Sequence, residues 1–318
     1  MVEAKKTPAD TTQEISYKYF AEQIDGETGI PVGMVPLEVV FDRGLVSFPQ
    51  NAKWHDVGAG VFASTKHIAS KIPPDVRETM TLVASDPFFD VESLHEFVSQ
   101  ITPQFRDHIV MGDFANSAVV RERDCDQITM INMAHLVSEE ERIPLLSAAN
   151  SSLKADGKLT IVTSFIHNWN VDRRTLAFQI AWLRAKGDLL KLLYGYESPN
   201  TAFSMWDSDR YIEEVEEAGF EIELAEIVQM PCTVESYRLI SKDKEWLENT
   251  MPGIPLEIAS EVSVKAIGQL IELGRYKPED SMPRNTLVLV GSKFSNPTSN
   301  SNSGTGAKAP VEREPVLV

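Results

Sequence analysis

Between residues 53 and 290, short runs of β-branched and apolar residues alternate with stretches whose apolar positions recur every three or four residues. That order of elements is what most restricts the fold. A strand followed by a helical crossover rejoins its sheet as a parallel neighbour, so the repeated pattern predicts βαβ units on one mostly parallel sheet. The expected strands are 53–57, 81–85, 108–111, 127–133, 158–163, 221–228 and 286–290. The fold class is therefore α/β, Rossmann-like, with seven strands and helices on both faces.

The helices carry their own signals. Val61, Thr65, Ile68 and Ile72 line one face of a helix after the first strand. Ser138 and Glu141 form S-x-x-E ahead of Ile143, Leu146, Ala149 and Leu153, which predicts a capping box and an apolar stripe. Asp207 or Ser208 is placed to cap a helix through Tyr211, Ile212 and Val215 that closes at Gly219. Three segments interrupt the alternation: the region before the first strand, an insert after the fifth and another between the last two. Leu176, Ile180 and Leu183 in the first insert have helical spacing, which predicts either core or the contact of a homodimer.

Charge narrows the partners. Lys and Arg number 30 against 47 Asp and Glu, a formal charge of −17 that repels a phosphate backbone and an anionic membrane alike. A nucleic-acid substrate is not expected. Only Cys125 and Cys232 occur, so neither a disulfide framework nor a paired C-x-x-C zinc site is expected, and a reducing cytoplasm fits this usage. No secretory h-region and no window of 18 apolar residues is found, so membrane insertion is not expected.

Chemistry concentrates at Trp54-His55-Asp56-Val57-Gly58-Ala59-Gly60, where glycines fall on the turn from the first strand into its helix and let a ligand approach bare backbone. Further along come Asp86 after the second strand, Asp113 and Phe114 after the third, Cys125 to Leu136 through the fourth and its end, Leu153-Lys154-Ala155-Asp156-Gly157-Lys158-Leu159 entering the fifth, and Ala218-Gly219-Phe220 entering the sixth. In this order the stations resemble the class I S-adenosylmethionine-dependent methyltransferases over about residues 50–165 and 205–292. The resemblance implies S-adenosyl-L-methionine as cofactor. It also implies that Asp56, Gly58, Ala59 and Gly60 wrap its methionine end, that Asp86 holds the ribose hydroxyls with Pro87 beside the adenine, and that Asp113, Phe114 and Asn132 complete the site.

One departure stands out: Phe62 occupies the place of the family's third glycine, where a bulky side chain either narrows the cofactor's space or points into the core. The letters Gly58-Ala59-Gly60-Val61-Phe62-Ala63 also satisfy G-x-G-x-x-A, the dinucleotide fingerprint, but the acid before the first glycine and the lack of a Tyr-x-x-x-Lys argue against a nicotinamide enzyme.

Methyl transfer from a sulfonium is an in-line displacement governed by positioning. An oxygen acceptor gains from a base, and His167 and then His135 lie at the carboxyl ends of strands five and four; His55 reads as a strand residue inside the sheet. No set of residues resembles a metal triad. Tyr17, Tyr19, Phe20, Trp169, Phe203 and Trp206 are the aromatic candidates for an acceptor pocket. The expected organisation is a disordered tail over 1–13, one methyltransferase-like domain over 14–293 and a disordered tail over 294–318. Within the domain, 14–50 forms a helical lid, and 168–205 and 233–283 are insertions that roof the cleft. The expected function is methylation of a small molecule, most readily at a hydroxyl or phenol of a secondary-metabolite type. A non-methylating rearrangement or cyclisation on the same fold, or a non-catalytic partner subunit, is the alternative.

Overall fold

The computed structural model describes residues 20, 23–86, 124–165, 170–198 and 207–294. Its centre is a six-stranded sheet of β1 (Lys53–Val57), β2 (Thr81–Ser85), β3 (Cys125–Ile131), β4 (Leu153–Thr163), β5 (Phe220–Met230) and β6 (Arg284–Lys293), in the spatial order β2-β1-β3-β4-β6-β5. The pairs β1–β2, β1–β3 and β3–β4 are parallel; β6 runs antiparallel between β4 and β5. The first two strands coincide with the expected spans, and the later four begin or end a few residues away from them. The strand expected at 108–111 lies outside the described residues.

Why the sheet is covered on both sides can be read from neighbouring side chains. Val162, Val288 and Val290 point into one apolar cluster, whereas Ile161, Leu287 and Leu289 point into another. Successive residues of a strand face opposite ways, so these strands must be apolar at every position. The first cluster contains Met34, Leu37 and Val40 from α1 (Val35–Asp42) and its preceding turn, and Phe62, Ile68 and Ile72 around α2 (Ala63–Lys71). A short α3 (Pro74–Arg77) leads into β2. The second cluster contains Leu146 and Ala149 from α4 (Glu139–Ser152).

A long α5 (Arg173–Tyr194) follows β4, and α6 (Ser208–Glu217) precedes β5 and gives Tyr211 and Val215 to the second cluster. Three more helices, α7 (Val234–Ile240), α8 (Lys244–Thr250) and α9 (Leu256–Glu272), fill the connection from β5 to β6. With α5 they build a third core around Phe178, Trp182, Tyr237, Leu247, Val262 and Ile267. Phe20 packs into this core as well.

The expected helix signals have mixed outcomes. Thr65, Ile68 and Ile72 are buried as expected, while Val61 precedes the first turn of α2 and is half-buried. Asp207 caps α6, its carboxylate accepting from the Arg210 amide, and Gly219 takes φ +88° just beyond that helix. Ser138 starts α4, but its hydroxyl donates to the Glu141 carboxylate at 2.7 Å and makes no cap bond to backbone, so the expected capping box is replaced by a side-chain pair. A full capping box occurs instead at Thr233 and Ser236 on α7. The core reading of the α5 stripe is corrected: Ile180 and Leu183 are 40% and 39% exposed, because Phe178, Trp182, Leu189 and Leu190 already fill the inward face.

Candidate active site

The turn after β1 is shaped from beneath by a completely buried acid. Asp56 accepts from the hydroxyls of Ser64 at 2.7 Å, Thr65 at 2.6 Å and Thr129 at 2.9 Å, and Thr129 in turn accepts from the Trp54 indole at 3.1 Å. These bonds fasten β1 to the first turn of α2 and to β3. Loss of hydration raises the Asp56 carboxyl above its ordinary value, and the three hydroxyls oppose that shift. The residue expected to face the cofactor therefore acts on the loop from inside the core.

The loop itself closes against β2. The amides of Gly58 and Ala59 both donate to the Ser85 carbonyl, at 2.7 and 3.2 Å, and the amide of Gly60 donates to Asp86 Oδ2 at 2.9 Å. Gly58 and Gly60 have φ of +73° and +49°, conformations that need glycine. At Gly58 there is no room either, since a Cβ would lie 2.7 Å from Met133 Cβ. Phe62 also holds a left-handed φ, +63°, so the backbone keeps the bend that a third glycine would supply. Its ring is fully buried in the cluster with Trp54, Ile68 and Ile72. Of the two readings of Phe62, the inward one holds, and the side chain does not narrow the loop.

Beyond β3, Asn132 takes φ +56°, its amide donates to the Val162 carbonyl at 2.7 Å, and its side-chain amide stands 3.7 Å from where a Cβ on Gly33 would lie. The N-terminal segment thus reaches the carboxyl edge of the sheet. His135 sits in the 3-10 turn Ala134–Leu136 with Nδ1 3.1 Å from Thr163 Oγ1 at the tip of β4. Burial, then the charges of Arg284 and Arg142, push its pKa down to about 3, so the ring is neutral near pH 7. His55 is buried in β1 against Ser85 Oγ at 2.7 Å, as expected of a strand residue.

Two arginines that sequence reasoning missed hold this edge. Arg142 is almost completely buried; its Nε donates to Glu214 at 2.6 Å and its Nη1 to the carbonyls of Ala134 and Val137, both at 3.2 Å, which ties the His135 turn to α4 and α6. Arg284, the first residue of β6, donates to Ser164 Oγ, and its Nε is buried without a hydrogen-bond partner among the described residues. The signal that would have found Arg284 is topological: an antiparallel last strand starts at the edge where its neighbours end. Pro87, Asp113, Phe114, His167, Tyr17, Tyr19, Trp169, Phe203 and Trp206 lie outside the described residues, and Phe20 is buried in the third core.

The structure thus brings together Gly58, Ala59, Gly60 and Asp86 at the ends of β1 and β2, and Asn132 and His135 at the end of β3. Among the described residues, no group of three or more His, Cys, Asp or Glu could hold a metal ion, and no helix is long and apolar enough to cross a membrane.

No protein-family model matches the sequence, and none of the curated proteins matches it. Solved structures do match. A phosphoethanolamine N-methyltransferase from Haemonchus contortus, in complex with phosphomonomethylethanolamine and S-adenosylhomocysteine, aligns at TM-score 0.51 and 12% identity over 92% of this chain and 60% of that one. A cyclopropane synthase from Mycobacterium tuberculosis aligns at TM-score 0.48 and 14% identity, over 91% of this chain and 100% of that one. A TehB-like S-adenosylmethionine-dependent methyltransferase from Corynebacterium glutamicum aligns at 0.43 and 17%, over 90% and 98% of the two chains. The chain shares the fold of the S-adenosylmethionine-dependent methyltransferases; at these identities the likeness is one of fold.

Proposed function

We propose that the chain is an S-adenosylmethionine-dependent methyltransferase that acts on a small molecule, at an oxygen of the acceptor. The observation that carries this reading is the bond from the Gly60 amide to the Asp86 carboxylate at 2.9 Å. It places the acid behind β2 against the glycine bend behind β1, the two features that the resemblance assigns to one adenosyl group. The residues fit that group: bare backbone at Gly60, a half-buried carboxylate at Asp86, and Asn132 just beyond the adjoining strand. Pro87, Asp113 and Phe114 complete the proposed set. The cofactor supplies, when bound, a methyl group on a cationic sulfur.

The chain's own residues then orient and desolvate. His135 is held through Nδ1 by Thr163, which leaves Nε2 to accept a hydrogen bond from an acceptor hydroxyl. A ring whose protonation is this disfavoured positions the hydroxyl more than it retains the proton. Positioning of this kind accounts for most of the acceleration needed in an in-line displacement. In this reading His167 from the β4 end assists the proton's departure. The N-terminal segment over 14–50 and the insertions over 168–205 and 233–283 roof the cleft, with Tyr17, Tyr19, Trp169, Phe203 and Trp206 lining it, and the strand at 108–111 is the seventh of the sheet. Phe62 packs into the core, so its bulk gives no argument for a non-methylating relative on this fold.

The test is calorimetric titration with S-adenosylhomocysteine. A dissociation constant in the micromolar range is expected for the unaltered chain, and Asp86→Ala is expected to weaken it at least tenfold with little change in melting temperature. Absence of heat together with an unshifted melting curve would sink the proposal. Transfer of labelled methyl to the small molecules that co-purify with the protein then identifies the acceptor atom.

A further inference from the structure

Arg284 stands at the carboxyl edge of the sheet. Its register partner is Met230, the last residue of β5, and three residues along β6 Leu287 pairs with Thr163, the last residue of β4. Ligands of open α/β sheets bind at this edge. Three strand spacings, about 14 Å, separate Arg284 from the glycine bend of β1.

A guanidinium stays ionised at all ordinary pH and is costly to enclose without a counter-charge. Arg142, more deeply enclosed, is neutralised by Glu214. Arg284 has no carboxylate among the described residues: Nη2 donates to the neutral Ser164 hydroxyl and Nε, out of solvent, donates to nothing. Three titratable groups among the described residues that feel its charge are neutral near pH 7. Burial pushes the Cys232 thiol up to about 12, raises the Tyr237 phenol, and keeps His135 unprotonated. Among the described residues, the Arg284 charge thus has no carboxylate partner at the carboxyl edge of the sheet.

We infer that Arg284 is an oxyanion receptor and that the methyl acceptor carries a carboxylate or a phosphate group that binds this guanidinium. The inference rests on the methyltransferase reading and adds the acceptor's chemical class. The forked donors of arginine match both groups, and a carboxylate or phosphate oxygen would satisfy the orphaned Nε–H. The bound anion would also offset one of the two cations that disfavour protonation of His135, so that the acceptor improves the base that serves it.

The experiment follows the arginine Nε–H resonances of the ¹⁵N-labelled full chain during titration with acetate and, separately, inorganic phosphate at constant ionic strength, with and without S-adenosylhomocysteine. One resonance, identified by its absence in Arg284→Lys, is expected to shift saturably with at least one anion, and the responding anion tells a carboxylate acceptor from a phosphate one. Arg284→Gln, read by the melting-temperature shift that the same anion produces, is expected to weaken binding at least tenfold. Should that variant fold poorly, Arg284→Lys keeps the charge without the fork and is expected to bind several-fold more weakly. A resonance that ignores both anions, or substituted chains that bind like the original, would overturn the inference. Failure of S-adenosylhomocysteine to bind while the resonance still responds would remove the methyltransferase reading and leave the receptor in place.

Discussion

Phe62 sets two residue-scale effects against each other. A left-handed backbone costs an L-residue about 1–2 kcal/mol, while burial of a phenylalanine is worth about 3–5 kcal/mol by truncation. Burial wins, which is why a bulky residue persists at a glycine position. Phe62→Gly is therefore expected to lose about 2–3 kcal/mol in denaturant unfolding. Phe62→Ala is expected to lose more than Phe62→Gly, the reverse of the usual order inside folded elements; the usual order would refute the argument. Two positions into β1, His55 has no surface exposure, and burial and then Lys53 push its pKa down to about 3 from an ordinary 6.5. Between those values the unfolded chain holds a proton that the folded chain does not, so stability is intact above about pH 6.5 and falls as the pH drops, with a slope near 1.4 kcal/mol per unit. Neighbouring Asp56, whose carboxyl is raised, contributes the opposite sign at its own pH range. The difference between the unaltered chain and His55→Asn isolates the histidine, and unfolding at pH 7 and pH 5 is expected to show an extra loss of about 2 kcal/mol in the unaltered chain. Equal losses in both would refute the buried neutral imidazole.

At the scale of elements, the Arg142–Glu214 pair is the bolt between α4, α6 and the turn that bears His135. Removing one partner of a buried ion pair strands the other charge, so Arg142→Met is expected to cost about 3–5 kcal/mol, and Arg142→Met with Glu214→Leu to recover most of it. A double variant no more stable than the single one would show that the lost carbonyl contacts, not the stranded carboxylate, set the cost. The same scale shows why parts of the fold are legible in sequence. β1 and β2 are bounded by a glycine turn and by an aspartate behind a β-branched run, signals contained within each segment, and both spans agree with the structure. The inward face of α5 was not legible: leucine and isoleucine spacing drew attention to Ile180 and Leu183, whereas stacking of Trp182 on Trp246 and of Phe178 on Trp182 fixes which side turns inward. That choice is made by α7, α8 and α9, about 50 residues or more further on, and no local pattern records it. Ser138 fails for a smaller reason, since Glu141 competes with the backbone for its hydroxyl.

For the whole molecule, chain order and spatial order part company at β6. The glycine bend and Asp86 could be found by reading forward, because parallel strands deliver successive loops to one edge. Arg284 could not, because it reaches that edge only through reversal of the last strand. Residues 284–293 occupy the slot between β4 and β5, so deletion of that segment is expected to leave two open strand edges and an aggregating product, seen as loss of the native peak in size-exclusion chromatography. Retention of a soluble, helical species at the native elution volume would contradict it. During synthesis, β5 leaves the ribosome about 50 residues ahead of the partner that must wedge in beside it. The nascent chain therefore carries a gapped sheet, with the facing edges of β4 and β5 unpaired, until β6 emerges to close it.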